Sequence, residues 1–563
     1  MTEEPVIQAE QDLHGLRAPY RGPTEVTEAN RADRFLRVLS LESMSRSGRT
    51  AYILAVGNVM QAPSMGSAAV FGCNASREDQ PAGPSGRPRN RSPWESSMTT
   101  KPKALHTSEN NSPASPGQVA FVAGSFLAGF LISLALLHHQ IDSQVFHEGT
   151  RSNAQPALNV WFDSNAPLVY LAMTATDTKM QMTNRHPLFP YFGVLPVKAM
   201  WLLGIPEPVA VCLVLAFGVG LMSGLFALIL ALTIESLALA WLWQLFFLST
   251  SSFVFWSGIC ERFPLGSATI LAVTAGAAYY SKKDRMPVAV AVILNVMSLS
   301  ITLTNWMFGL LLSWNFFKIK TALKVSLYAL SVTLVLWLME QLFIEQRNNL
   351  LYVDSWNQKF ILGTYAGGVY QKLVALLGHT VVIPSVHLHG FADGVTAESH
   401  QMLGVAQSNP GSGSLLGLLL IIAWILLLVT GLLSWWLKTE KNRFDHYLSL
   451  AILGQIVLHM IYGAELFLYG LHIVPLVLLL IARGLNEWKG TARQTLISSL
   501  CVFVPLLAFH NITGYNQARA LYLERYEERL NSLTHNPLPD ETRERERAQR
   551  PAPSGSIHEP QGD

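Results

Sequence analysis

The stretch DTKMQMTNRHPLFPYF, Asp177 to Phe192, sets an acid, an adjacent Arg185–His186 pair and two prolines between strongly apolar runs. A carboxylate can take a proton from a hydroxyl, and an Arg–His pair can hold an anion. Pro187 and Pro190 limit the backbone around Leu188 and Phe189 and disfavour helix just before each proline. A second acid, Asp163 in NVWFDSNAP, lies earlier in the same segment. Two acids in a solvated loop are the plain alternative. Against it, the loop mixes aromatic and polar residues, and it returns to apolar sequence at His186-Pro187.

Three further clusters have chemistry-bearing residues. In FWSGICERF, Glu261 and Arg262 precede Pro264, a residue suited to a first helical turn; Glu261 there complements the helix dipole or serves a site. In HMIYGAELFLYGLH, Tyr462, Glu465, Tyr469 and His472 are spaced 3, 4 and 3, so on one continuous helix they share a face. Tyrosines suit a membrane boundary, whereas Glu and His there are costly and point to function. In HTVVIPSVHLHGFADGVTAESH, His387 and His389 alternate as metal ligands on a strand would, with Asp393 and His400 nearby. A divalent cation helping to bind a phosphate competes there with a merely histidine-rich polar loop. Asn305 and Trp306, near the outer ends of two short helices, cap or line the same cavity. His459 in GQIVLHMIYG suits a packed, hydrogen-bonded helix histidine at least as well as the deep histidine of an acyl-transfer enzyme.

What must position these residues is set by composition. Of 563 residues, 50% are hydrophobic and 14% charged, against roughly a quarter charged in soluble chains; mean hydropathy is +0.28. Runs of membrane-spanning length put the chain in the membrane class. A net charge of +2 gives no basic field for nucleic acid. The cysteines Cys73, Cys212, Cys260 and Cys501 make neither a disulfide framework nor a metal spacing. Residues 1–116, rich in Pro, Ser and Gly, read as a disordered tail, and Met98 offers an alternative start.

Apolar runs near 118–138, 208–232, 234–252, 264–281, 287–303, 304–317, 322–344, 414–437, 446–467, 471–484 and 492–510 predict an all-α polytopic protein of about 11 transmembrane helices. The run 446–484 is too long for one span, so a turn is expected near Gly463 or Gly470. The segment after Phe192 is short for a span and suits the interface. Lys101 and Lys103, taken as cytoplasmic with the N-terminus, put the basic linkers at 281–285, 318–324, 438–443 and 483–493 on that side. Loops 140–207 and 345–413, the Glu261 connector and the 463–472 turn then share the opposite face. After Tyr515 a short amphipathic helix and a disordered tail to residue 563 follow the 117–514 membrane domain.

Taken together, these features resemble the GT-C superfamily of polytopic glycosyltransferases. The resemblance rests on acids in the first outer loop, Arg-His-Pro-Leu-Phe-Pro closing it, Glu-Arg-Phe-Pro-Leu-Gly opening a later span, and the outward Tyr/Glu/His turn. It is similar in particular to a bacterial branch whose first loop ends in an HPLFP-type segment, and it covers roughly 118–510. It implies an inner-membrane enzyme of the cell envelope that moves a hexose or pentose, with inversion, from a polyprenyl-phosphate donor in the bilayer to an acceptor. Asp163 or Asp177 is then the catalytic base on the acceptor, or helps to hold a metal. Arg185, His186 and Arg262 bind the donor phosphate, and Glu261, Asn305, Tyr462, Glu465, Tyr469 and His472 bind substrate. The family often has two adjacent early acids; here they stand 14 residues apart, which leaves open which is the base. The rival readings are a multi-pass transporter or lipid flippase, which would need broken helices at mid-membrane, and a non-catalytic scaffold.

Overall fold

In the computed structural model, residues 114–142, 161–162, 164, 166–176, 182–283, 285–344, 361, 368–390, 401–405, 408–411, 413–463 and 465–535 are described. The expectations for the tail before residue 114, for Asp163 and Asp177, and for Asp393 and His400 lie outside them. The described residues are mostly helical, and seven helices are long and apolar enough to cross a membrane.

The chain runs through α1 (Pro116–Asp142), three short helices α2 (Ala166–Thr174), α3 (Phe189–Phe192) and α4 (Val194–Leu202), then α5 (Glu207–Thr233). Next come α6 (Leu237–Ser249), α7 (Ser251–Trp256), α8 (Phe263–Tyr280), α9 (Val288–Ile301), α10 (Trp306–Phe316) and α11 (Ile319–Met339). A short α12 (Val369–Val374) continues into a π-type turn, Ala375–His379, and a hairpin of β1 (His387–Gly390) and β2 (Gln401–Gly404). The last helices are α13 (Leu415–Leu437), α14 (Arg443–Ile461), α15 (Gly470–Leu485) and α16 (Gly490–His535). The helix expected after Tyr515 is a direct continuation of the last span, since α16 runs unbroken through Pro505.

Local chemistry sets the breaks. The run 234–252 is interrupted because Thr250 leaves the helix and caps α7 by accepting from the Phe253 N–H. The 446–484 run breaks where its length requires: α14 stops at Ile461, Gly463 takes φ +103, and α15 resumes at Gly470. Asn442 and Asp445 cap α14 reciprocally. Close helix contacts use small residues: a Cβ on Gly220 would lie 3.0 Å from the Phe126 carbonyl, which lets α1 lie against α5. α15 is buried along its whole length, and the outer helices carry the exposed leucines and valines.

The two ends of the bundle differ. At one, Gln118 meets the Ala231 carbonyl (3.3 Å), Arg483 the Thr233 carbonyl (3.1 Å), and Asn315 the Arg443 carbonyl (2.7 Å). Lys438 pairs with Glu487 there (3.2 Å), and Arg483 grips Asp445 through Nε (3.0 Å) and Nη2 (2.9 Å). The basic linkers thus gather at a single end. The segments around Arg185, Glu261, Asn305 and His472 lie toward the other. Helix length fixes their depth: α10, starting next to Asn305, rises only ~16 Å from the basic end, whereas α11 rises ~31 Å. Asn305 therefore sits well inside the bundle, deeper than the boundary position its sequence suggests.

Candidate functional site

Four stretches distant in sequence meet at this level. The Arg185–Leu188 segment clasps the end of α9: Leu188 donates to the Ser300 carbonyl (2.8 Å), and Leu303 donates to the Arg185 carbonyl (2.9 Å). His186 Nδ1 donates to the Ile301 carbonyl (2.6 Å). A carbonyl accepts only, so Nδ1 carries the proton and the neutral ring keeps its Nε2 lone pair. Burial of the ring, and then the charge of Arg262 with that of Arg185 and His472 behind it, holds the His186 pKa well below the usual histidine value. His186 is thus neutral at neutral pH and offers Nε2 as a hydrogen-bond acceptor.

The Glu261–Arg262 connector closes the cluster. The Arg262 N–H donates to the Glu261 carboxylate (2.9 Å), and the Arg262 guanidinium stands 4.6 Å from the centre of the Phe189 ring. Both residues are only 3% exposed. Burial lowers the Arg262 pKa to about 10, Glu261 opposing the shift and Arg185 adding to it; the group stays cationic at neutral pH. Two guanidiniums close enough to repel each other make a positive site suited to a phosphate.

Below them, Asn305 donates to the Gly266 carbonyl (3.2 Å), and His472 packs on Phe263 (ring centres 5.7 Å). Tyr469 stacks on His459 (4.4 Å), and His459 bonds Gln455 through Nε2 (2.8 Å). His459 is therefore a packed, hydrogen-bonded helix histidine. The turn expected near Gly463 or Gly470 falls within the set Tyr462, Glu465, Tyr469 and His472 and divides it. Glu465 accepts from the Val405 N–H next to β2 (3.2 Å), and Tyr462 bridges Ile361. Tyr469 and His472 belong to the Asn305 layer.

The first loop is anchored beside this site. Phe162 donates its N–H to the Leu403 carbonyl (3.1 Å) and packs on Trp256 (6.1 Å) and Phe467 (5.0 Å). Among the described residues, Phe162 (φ 51) and Met182 (φ 49) are the two non-glycine residues with positive φ. One immediately precedes Asp163, and the other lies five residues after Asp177. Bulky side chains in the left-handed region cost roughly 1–2 kcal/mol each, and such strain clusters at functional sites.

His387 lies on β1 as the alternation predicts and is exposed. Among the described residues no group of three His, Cys, Asp or Glu could hold a metal ion. Sequence reasoning missed Phe189, the carbonyls of Ser300 and Ile301, and Gly266. Phe189 had a signal, standing between the two loop prolines; the others act through backbone. Comparison with protein-family models, curated proteins and solved structures finds no match to the chain.

Proposed function

We propose that this chain is a GT-C-like membrane glycosyltransferase, transferring a sugar from a polyprenyl-phosphate donor to an acceptor on the extracytoplasmic side. The observation that carries the reading is the meeting of Arg185, His186, Glu261 and Arg262 at the end opposite the basic linkers. The positive-inside rule puts those linkers, and the N-terminus, in the cytoplasm. Counting α6 with α7, α8, α9 and α10 as further crossings brings the spans to about 11, and the bacterial inner membrane suits such a carrier lipid.

In this reading Arg185 and Arg262 hold the donor phosphate and stabilise the charge it gains as the sugar leaves. Asp163 or Asp177 takes the proton of the attacking acceptor hydroxyl. Glu261 sets the Arg262 backbone and lies near the sugar. Neutral His186, with its Nε2 lone pair, accepts a hydrogen bond rather than supplying charge. The polyprenyl chain runs to the lipid between short helices.

The test is sugar transfer from labelled polyprenyl-phosphate sugars in membranes holding the protein, with Arg262→Gln as control. Transfer that depends on Arg262 supports the proposal; membranes in which every donor stays intact overturn it.

A second reading has a specific support. The site is recessed, and helices break at Thr250 and at 461–470, as a transporter's substrate site requires. Carrier-lipid movement between leaflets without release of sugar would favour it.

A further inference from the structure

We propose that Asn305 Oδ1 and His472 Nε2 form an uncharged hydrogen-bonding subsite beneath the cationic cluster, which reads a hydroxyl-bearing ring carried next to the phosphate. This rests on the reading of the cationic cluster as a lipid-phosphate site. Asn305 is fully buried and His472 is 3% exposed, yet among the described residues Asn305 Oδ1 and His472 Nε2 have no hydrogen-bond partner. A buried polar atom that makes no hydrogen bond is costly, so two of them in one place point to a missing partner.

The two atoms belong to residues that flank one point. A Cβ added to Gly266 would lie 2.8 Å from His472 Nε2 and 3.5 Å from Asn305 Nδ2. The Asn305 amide is oriented by its neighbour: Nδ2 donates to the Gly266 carbonyl, which leaves Oδ1 as a pure acceptor. With its proton on Nδ1, the neutral His472 ring keeps the Nε2 lone pair. Two neutral acceptors repel phosphate oxygens and welcome O–H donors. The subsite therefore complements the cationic cluster and does not duplicate it. Phe263 and Tyr469 stand beside His472, with ring centres 5.7 and 6.5 Å away, and offer the apolar faces that a sugar ring packs against. His472 lies within electrostatic range of His186, so one ligand can reach both layers.

The experiment measures equilibrium binding to the purified full-length protein in detergent. The probes are decaprenyl phosphate and its glucosyl, galactosyl, mannosyl and arabinosyl derivatives. At least one glycosylated carrier is expected to bind roughly tenfold or more tighter than the bare carrier, the fold-change that one buried hydrogen bond supplies. Asn305→Leu and His472→Phe should erase that difference while leaving the affinity for decaprenyl phosphate within about twofold, a readout that simple misfolding would not give. The milder Asn305→Asp and His472→Gln keep an acceptor and should retain part of the preference. Equal binding of bare and glycosylated carriers to the wild-type protein, or a preference that survives both apolar variants, overturns the subsite and leaves the phosphate site standing. Absence of binding by every probe overturns both.

Discussion

At the scale of single residues, the account turns on which groups are charged. Replacing Arg262 by Gln removes a charge-assisted hydrogen-bond donor worth about 1.5–3 kcal/mol, so kcat/KM for transfer is expected to fall about 10- to 100-fold with the fold intact. Asp163→Asn and Asp177→Asn should both express and fold, and at least one should abolish transfer; full activity in both would remove the acids from the mechanism. His186 makes a pH prediction. Its pKa is depressed in the folded protein, so below the ordinary value of about 6.5 the unfolded chain binds the extra proton and stability falls as pH falls. His186→Gln should therefore show a smaller loss of thermal stability than wild type between pH 7.5 and 5.5; an equal loss would mean the ring already holds its proton. Arg185, His186, Glu261, Arg262, Asn305 and His472, which the fold brings into one neighbourhood, stood out in the sequence because ionisable and amide groups are scarce in a membrane chain. The neutrality of His186 was not legible, because it follows from burial of the ring and from the Arg262 charge that the fold brings near it.

At the scale of elements, polar locks hold the short helices where the site needs them. Asp445, fully buried, joins the start of α14 to the end of α15 through Arg483, which also reaches α5. Asp445→Ala leaves that guanidinium uncompensated and should cost about 3–5 kcal/mol, read as a loss of thermal stability in detergent. Replacing Asp445 and Arg483 together by apolar residues should recover much of it. Gly266→Ala is the corresponding test at the site. Its Cβ meets His472 Nε2 at 2.8 Å, so overpacking of about 1–3 kcal/mol is expected, along with displacement of Asn305 and His472. The turn at Gly463–Gly470 followed from helix length alone. The depth of Asn305 did not, since it depends on how far short α9 and α10 fall of their neighbours once packed.

At the scale of the whole molecule, the separation of a basic end from a site end was readable from Lys and Arg positions, because lipid forces helices to alternate. Which segments meet across that bundle was not, since contacts such as the Leu303 N–H with the Arg185 carbonyl join residues far apart in sequence. In a cysteine-free background, Leu203→Cys, 82% exposed near the site end, should react with an impermeant reagent from outside the cell. Glu440→Cys in the α13–α14 linker should react only after lysis; the reverse pattern would invert the topology. The account is tested most directly by turnover of a labelled polyprenyl-phosphate sugar in proteoliposomes, compared for wild type, Arg185→Gln, Arg262→Gln and the double variant. If the two guanidiniums hold one phosphate, each single change slows donor turnover strongly and the double change costs clearly less than the two losses combined. A double variant that turns over donor at the wild-type rate would contradict the account.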